Sequence, residues 1–332
     1  MKFDLKKNFS DCIGNTPIIK LKIASELSGC EIYGKCEFLN PGGSVKDRPA
    51  FQIIKDAIKK KKIEPGGTIV EGTAGNTGIG LCLVGNSIGM NSIIVMPRTQ
   101  SNEKKKMLKL CGAELKLVDA LPYKNPGNYI RYSETLAKSI TNKHGVLWAN
   151  QFDNLSNKKS HYLTTGPEIY NQLSQKVDAF ICSIGTGGTI SGVSEFLKEK
   201  NKNILIGLAD PMGSAMHNFY KNGKLKSTGS SITEGIGQGR ITKNLENTVI
   251  DESFQITDTE ALNIVYEMIN KEGLILGGSS GINIMGAVKL GKLIGPNKKI
   301  VTILCDYGTK YESKIFNKKF LKEKELPIPK WL

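Results

Sequence analysis

The chain has 332 residues, of which 39% are hydrophobic, so it is long enough for two domains or for one large α/β unit with a sizeable core. No apolar run reaches the roughly 18 residues that a membrane-spanning helix needs, so no membrane span is predicted. The formal charge of +15 reflects 46 Lys and Arg against 31 Asp and Glu, but the lysines form short scattered runs, which argues against a nucleic-acid-binding patch.

The start of the chain and its cysteines bear on the cellular compartment. The opening MKFDLKKNFS lacks the apolar core of a signal peptide, and IGNTP at 13–17 already has the character of a folded segment. The seven cysteines are odd in number and include no CxxC pair, which argues against a disulfide framework or a zinc site. The sequence therefore predicts a cytoplasmic protein with reduced thiols and no metal ligands.

Short apolar runs alternate with helical patterns along most of the chain. In chain order, strands are predicted at 68–72, 92–97, 113–118, 179–184, 203–210 and 298–306. Helical patterns begin at Arg48, Thr77, Ser101 and Thr189. This alternation predicts an α/β fold with mostly parallel sheets covered by helices, in which ligands bind at the carboxyl ends of the strands.

Two sets of these elements predict two domains. Residues 41–149 form the smaller domain, with LPYKNPGNY at 121–129 as a surface insertion. Residues 1–40 and 150–332 form the larger domain. Two such layers predict a cleft between them.

Lys46 lies in NPGGSVKDRPA, at 40–50, between a turn and a helix. Asn40 to Ser44 are all turn formers, and the helical pattern begins at Arg48. Lysine is also the default exposed side chain, so the position alone leaves a solvated Lys46 open.

The segment SIGTGGTISG, at 183–192, follows an apolar strand and opens a helix. Its backbone N–H groups and hydroxyls can converge on one anion at the positive end of the helix dipole. It matches neither GxxxxGK[ST] nor GxGxxG, so a small phosphate is a better fit than a nucleotide. A glycine-rich bend without a ligand is the alternative.

Two further loops also join a glycine-rich turn to a helix. In EGTAGNTGIG, at 71–80, Thr73, Gly75, Asn76 and Thr77 offer donors that suit a carboxylate, or Asn76 or Thr77 caps the helix. In LGGSSGIN, at 276–283, Ser279 or Ser280 either caps a helix or donates to a ligand. A phosphate loop, a carboxylate loop and a lone lysine together indicate pyridoxal phosphate.

The order of motifs resembles the cysteine synthase and cystathionine β-synthase family. The resemblance runs from Ile13 to about Phe316 and rests on IGNTP, NPGGSVKDRPA, EGTAGNTGIGL, NQFDN, TTGPEI, GTGGTISGV, EGIGQGR and GGSSGIN. It implies the fold of the tryptophan synthase β subunit, fold type II of the pyridoxal-phosphate enzymes, with the cofactor in the interdomain cleft. The chain has no room for the haem segment or the regulatory repeats of longer cystathionine β-synthases.

The resemblance also implies a role for each site residue. Lys46 would carry the cofactor and act in catalysis, Asn76 would bind the cofactor's 3′ oxygen, and Ser279 would face the pyridine nitrogen. The phosphate would be held by Gly185, Thr186, Gly187, Gly188 and Thr189. The substrate would be bound by Thr73, Ala74, Gly75, Thr77, Gln151 and Gly235.

The activity implied is a β-replacement that makes L-cysteine from O-acetyl-L-serine and sulfide through an aminoacrylate intermediate. Alternatives within the family are cystathionine β-synthase acting on serine and homocysteine, O-phosphoserine sulfhydrylase and cysteine desulfhydrase. An alternative of another class is a non-catalytic basic binding protein on this fold. The resemblance further implies a homodimer, with a serine acetyltransferase as a candidate partner.

Three positions depart from the cysteine synthase pattern or vary within the family. Ala74 stands where many members have serine, and Glu234 is closer to the cystathionine β-synthase pattern. Arg240 either reaches the cleft as a phosphoserine-binding fork, points to solvent or pairs with Glu234. The three histidines have no metal-like spacing and are expected at the surface or at helix caps.

Overall fold

The computed structural model describes residues 8–332, and their strands form two sheets. The strands are β1 (Ile18–Lys20), β2 (Glu31–Cys36), β3 (Thr68–Gly72), β4 (Asn91–Pro97), β5 (Glu114–Val118), β6 (Val146–Trp148), β7 (Ala179–Cys182), β8 (Leu205–Pro211), β9 (Glu252–Ile256) and β10 (Lys299–Leu304). One sheet has four parallel strands in the order β5-β4-β3-β6. The other has six strands in the order β1-β2-β10-β7-β8-β9, and only its β1–β2 pair is antiparallel.

Helices cover both sheets. They are α1 (Lys22–Ser28), α2 (Asp47–Lys59), α3 (Asn76–Ser87), α4 (Asn102–Leu110), α5 (Tyr129–Ser139), α6 (Ser156–Ser160), α7 (Gly166–Gln172), α8 (Gly188–Lys200), α9 (Met216–Asn222), α10 (Asp258–Glu272), α11 (Gly278–Ile294), α12 (Glu312–Ile315) and α13 (Lys318–Glu323). In α2, Ile53, Ile54 and Ala57 are buried while Lys55 is exposed, so the apolar residues form one stripe. Within residues 8–332, no helix combines the length and the apolar character that crossing a membrane requires.

The six-stranded sheet is buried on both faces. Along β10, Ile300 and Leu304 pack into the core on one face, while Val301 and Ile303 pack into the core on the other. Alternate residues of a strand point to opposite faces, so a run of consecutive apolar residues fits a sheet that is covered on both sides.

The predicted α/β class with mostly parallel sheets is confirmed. The strands predicted between 68 and 306 are present as β3, β4, β5, β7, β8 and β10. The sequence did not predict β1, β2, β6 or β9. Two of these have only three residues, and β2 contains Lys35, a buried lysine whose ammonium donates to Thr16 O and Gln172 Oε1.

Each sheet draws its strands from one side of the predicted domain division. The four-stranded sheet uses residues 68–148, inside the predicted smaller domain at 41–149. The six-stranded sheet uses residues 18–36 and 179–304. Independent motion of two domains stays a prediction.

Candidate active site

A cleft of about 490 Å³ is lined by elements of both sheets. Its lining residues follow the carboxyl ends of β3, β7 and β10, where ligands collect in parallel sheets. Of the predicted site residues, the cleft is lined by Lys46, Thr73, Ala74, Gly75, Asn76, Thr77, Gln151, Gly185, Thr186, Gly235 and Ser279. Gly187 and Thr189 line an adjoining recess that also contacts Lys46, and Gly188 lines neither space.

Lys46 is held by its neighbours at the start of α2. Asp47 accepts a hydrogen bond from Gly42 N at 2.6 Å, which closes the turn before the lysine. Arg48 forms a buried ion pair with Glu37, with Nε and Oε2 2.7 Å apart. The Lys46 side chain itself is partly buried and makes no hydrogen bond or ion pair with any residue in 8–332. Its amine is therefore free at the junction of the cleft and the recess.

The glycine-rich loop after β7, which is the predicted anion cradle, lies at the start of α8. Gly187 has a φ of +87°, and a Cβ on Gly188 would lie 2.0 Å from Asn157 Oδ1, so no side chain fits there. The same Asn157 donates to Thr186 Oγ1 at 2.9 Å, which leaves the Thr186 hydroxyl proton available. The first N–H groups of α8 have no carbonyl partner within the helix and carry the positive end of its dipole.

His161 lies behind this cradle and was misjudged from the sequence. It is fully buried in a π-helical turn, His161–Thr165, and was expected at the surface or at a cap. Its Nδ1 is 2.9 Å from Thr165 Oγ1 and its Nε2 is 3.2 Å from Thr189 Oγ1. Burial lowers the pKa of His161 to about 3, so the ring is neutral at pH 7. Its contact with Thr189 spans 28 positions, which no local pattern reveals.

The loop after β3, at residues 73–77, is the predicted carboxylate loop. Its polar groups are already hydrogen-bonded. Thr77 Oγ1 donates to Gln151 Oε1 at 2.6 Å, and Thr73 Oγ1 accepts from Gly75 N at 3.0 Å. Asn76 Nδ2 donates to Asp306 Oδ2 at 2.7 Å, which leaves the second amide hydrogen free. Ala74 has no side-chain donor, so only its backbone can contribute to carboxylate binding.

Glu71 lies beneath this loop and was not singled out from the sequence. The side chain is fully buried, and burial raises its pKa to about 8 although Gln151 hydrogen-bonds to it. Glu71 is therefore mostly protonated at pH 7. Its contact with Gln151 makes it a support for the residue that binds Thr77.

Ser279 and Cys305 both line the cleft. Ser280 Oγ accepts a hydrogen bond from Cys305 N at 2.9 Å, whereas Ser279 lines the cleft, so the two serines have different roles. Burial raises the pKa of the Cys305 thiol to about 11, against the opposing effects of the Lys46 charge and a hydrogen bond with Ser279. Cys305 thus stays a neutral thiol beside Ser279, a pairing that was not predicted from the sequence.

Arg240 has a partner that the sequence did not predict. It pairs with Asp153 through two bonds, of 3.0 and 2.8 Å, and its guanidinium lies 4.5 Å from the centre of the Tyr123 ring. The sequence left open whether Arg240 reaches the cleft, points to solvent or pairs with Glu234, and the structure pairs it with Asp153 instead. Tyr123 belongs to the predicted surface insertion, so this stack joins that loop to the segment that contains Arg240.

Glu234 instead meets two lysines at the cleft. Lys104 Nζ lies 2.8 Å from Glu234 Oε2, and Lys314 Nζ lies 2.5 Å from Glu234 Oε1. We call these three residues the Glu234 clamp. All three line the cleft, and each lysine comes from a part of the chain far from Glu234 in sequence.

Comparisons with known proteins agree with this geometry. A model of the family described as pyridoxal-phosphate dependent enzyme matches residues 9–306. Cysteine synthase 1 from Neurospora crassa is 46% identical over 327 residues, covering 97% of this chain and 86% of that relative. Cystathionine beta-synthase from Apis mellifera is 41% identical over 308 residues, covering 91% of this chain and 60% of that relative.

A solved structure is similar over nearly the whole chain. The O-acetylserine dependent cystathionine beta-synthase from Helicobacter pylori has a TM-score of 0.85 and 33% sequence identity. The match covers 94% of this chain and 99% of that chain. The likeness therefore includes both sheets and the cleft.

Proposed function

Since this chain belongs to the pyridoxal-phosphate dependent enzyme family, we propose that it is a cysteine synthase, which makes L-cysteine from O-acetyl-L-serine and sulfide. The observation that carries the proposal is the free Lys46 amine, placed between an anion cradle and a carboxylate-binding loop in one cleft. The 46% identity to the Neurospora crassa cysteine synthase over 97% of this chain supports the same activity.

The residues of the cleft fit pyridoxal phosphate. The cradle from Gly185 to Thr189 excludes a Cβ at Gly188 and offers helix N–H groups, so it suits the phosphate. Lys46 would hold the aldehyde carbon, and the free hydrogen of Asn76 would reach the 3′ oxygen. Ser279 would donate to the pyridine nitrogen.

When bound, pyridoxal phosphate supplies an electron sink that lets an amino acid lose its α proton and then its β substituent. Thr77 and Gln151 bind the substrate carboxylate and fix the direction of its Cα–H bond. Lys46 Nζ accepts the Cα proton as general base, because its amine has no competing partner in the cleft. Ser279 presents a neutral hydroxyl, whereas a carboxylate at that place would favour a protonated ring.

The donor assignment rests on Arg240. A phosphoserine donor needs additional positive charge for its leaving phosphate, and an arginine fork is the usual source. In this protein both terminal nitrogens of Arg240 are bound to Asp153. We therefore assign O-acetylserine, whose leaving acetate carries less charge than phosphate.

The compartment and the assembly are also part of this proposal. All seven cysteines are unpaired, which fits a reducing compartment such as the cytoplasm. A homodimer, and a serine acetyltransferase as its partner, follow from the family resemblance alone.

A donor competition tests the proposed function. Purified enzyme is assayed for cysteine formation with sulfide and O-acetylserine, O-phosphoserine or serine as donor. We expect the highest kcat/KM with O-acetylserine. A higher value with O-phosphoserine that falls at least about tenfold in Arg240→Ala, the size of a lost charged hydrogen bond, would reassign the donor.

A further inference from the structure

We propose that the Glu234 clamp restricts the acceptor of this enzyme to hydrosulfide, because its lysines neutralise the carboxylate that the ammonium group of an amino-acid thiol would use. This inference rests on the proposed function and adds the residues that select its acceptor. The clamp consists of Lys104, Glu234 and Lys314.

Both carboxylate oxygens of Glu234 accept hydrogen bonds from lysines. Oε2 accepts from Lys104 at 2.8 Å and Oε1 accepts from Lys314 at 2.5 Å. The exposed fraction of the Lys104 side chain is 1% and that of Glu234 is 4%, so water does not screen this pair strongly. Among residues 8–332, Glu234 is the one carboxylate that lines the cleft. An incoming ammonium group therefore finds no free anion there.

The pairing of Lys104 with Glu234 connects elements of the two sheets. It belongs to α4, which follows strand β4 of the four-stranded sheet, whereas Glu234 lies in the connection between β8 and β9 of the other sheet. The ammonium of Lys104 also lies 4.2 Å from the centre of the Tyr311 ring, a favourable cation–π contact. The clamp thus joins one wall of the cleft to the other.

The clamp packs against the carboxylate loop. A Cβ on Gly75 would lie 2.7 Å from Lys104 Cδ, so the lysine stem occupies the space beside this glycine, whose φ is +135°. Further bonds join the segment of Lys104 to that of Lys314: Glu103 Oε1 accepts from Ser313 N at 2.8 Å, and Lys314 Nζ donates to Thr99 O at 3.1 Å. Both lysines of the clamp therefore lie in segments that are bonded to each other.

The formal charges of the clamp favour an anionic acceptor. Two lysines and one glutamate give the clamp a formal charge of +1, and Lys324 also lines the cleft. Hydrosulfide is a single heavy atom with a negative charge and is attracted to this cluster. Homocysteine is a zwitterion: Lys104 and Lys314 attract its carboxylate but repel its ammonium group, which finds Glu234 already neutralised.

The test measures acceptor preference with O-acetylserine as donor. Lys314→Met frees Glu234 Oε1 and changes a side chain that is only partly buried, and Lys104→Met is the second variant. The control is Lys105→Met, a partly buried neighbour on α4 whose ammonium bonds to Arg98 O. The measured quantities are kcat/KM for sulfide, homocysteine and 2-mercaptoethanol, a neutral thiol.

We expect the homocysteine-to-sulfide ratio of kcat/KM to rise at least about tenfold in Lys314→Met and to stay unchanged in Lys105→Met. Adding Glu234→Gln to Lys314→Met should abolish the gain for homocysteine, because the freed carboxylate is then absent. An unchanged ratio in both clamp variants would overturn the proposal, and so would an equal gain for 2-mercaptoethanol. Failure of the wild type to use O-acetylserine and sulfide would instead reject the proposed function.

Discussion

The phosphate cradle and the carboxylate loop both join a strand to a helix, yet they differ in how their polar groups are engaged. In the cradle, Thr186 accepts from Asn157 and keeps its own proton, and the first N–H groups of α8 have no helical partner. In the carboxylate loop, Thr77 has already given its proton to Gln151. Under the proposed roles, the cradle would offer free donors to its anion, whereas the loop would exchange protein bonds for substrate bonds.

The buried titratable groups behind the two loops respond to pH in opposite directions. His161 behind the cradle has its pKa lowered to about 3, and Glu71 beneath the carboxylate loop has its pKa raised to about 8, in both cases by burial. Both groups are neutral near pH 7. The cradle side therefore loses stability as pH falls, and the loop side loses stability as pH rises.

The largest expected effect is on the affinity of the cradle for pyridoxal phosphate. Gly188→Ala places a methyl group against Asn157, so the loop must shift and lose its alignment with the phosphate. Loss of two charge-assisted hydrogen bonds of roughly 2 kcal/mol each predicts a dissociation constant for pyridoxal phosphate about 1,000-fold higher. Fluorescence titration of the apoprotein measures it.

The matched control for this change is Gly239→Ala, since a Cβ at that glycine meets nothing within 4 Å. Circular dichroism of both apoproteins checks that they are folded. Cofactor affinity within threefold of the wild type in a folded Gly188→Ala protein would show that the cradle is not the phosphate site.

A smaller effect, on the free energy of unfolding, is expected from Glu71 beneath the carboxylate loop. The unfolded chain ionises Glu71 near pH 4.3 while the folded protein keeps the proton until about pH 8, so the free energy of unfolding falls as pH rises between these values. Between pH 5 and pH 7 this group lowers the free energy of unfolding by roughly 2 to 3 kcal/mol. Glu71→Gln should remove that slope.

Urea unfolding at several pH values measures the slope, with the exposed Glu246→Gln as control. The control should keep the wild-type slope. If Glu71→Gln also keeps it, Glu71 is ionised in the folded protein, and its support of Gln151 is that of an anion.

The smallest expected effect is on the KM for O-acetylserine, without a change in cofactor affinity. Thr77→Val removes the bond to Gln151 and one donor to the substrate carboxylate, which predicts a KM for O-acetylserine about tenfold higher. Cofactor affinity should not change, because Thr77 lies outside the cradle. The control is Thr135→Val on the exposed face of α5. A parallel loss of cofactor affinity would erase the distinction between the two loops.

The parts of the site that were predicted from the sequence are those set by local chain geometry. The cradle and the turn before Lys46 each consist of consecutive residues, so glycine and threonine spacing reveals them. The contacts of Arg240 with Asp153, Glu234 with Lys104 and His161 with Thr189 span 28 to 130 positions, and only the folded chain brings these residues together. Sequence patterns also missed β1 and β6, since three residues are too few to show a period.

The central claim is that Lys46 carries pyridoxal phosphate. Borohydride reduction of the loaded protein, followed by proteolysis and peptide mass mapping, tests it most directly. We predict the reduced cofactor on the peptide that contains Lys46 and on no peptide of Lys46→Ala, with the fold of the variant confirmed by circular dichroism. The reduced cofactor on another lysine of the wild-type protein would contradict the claim.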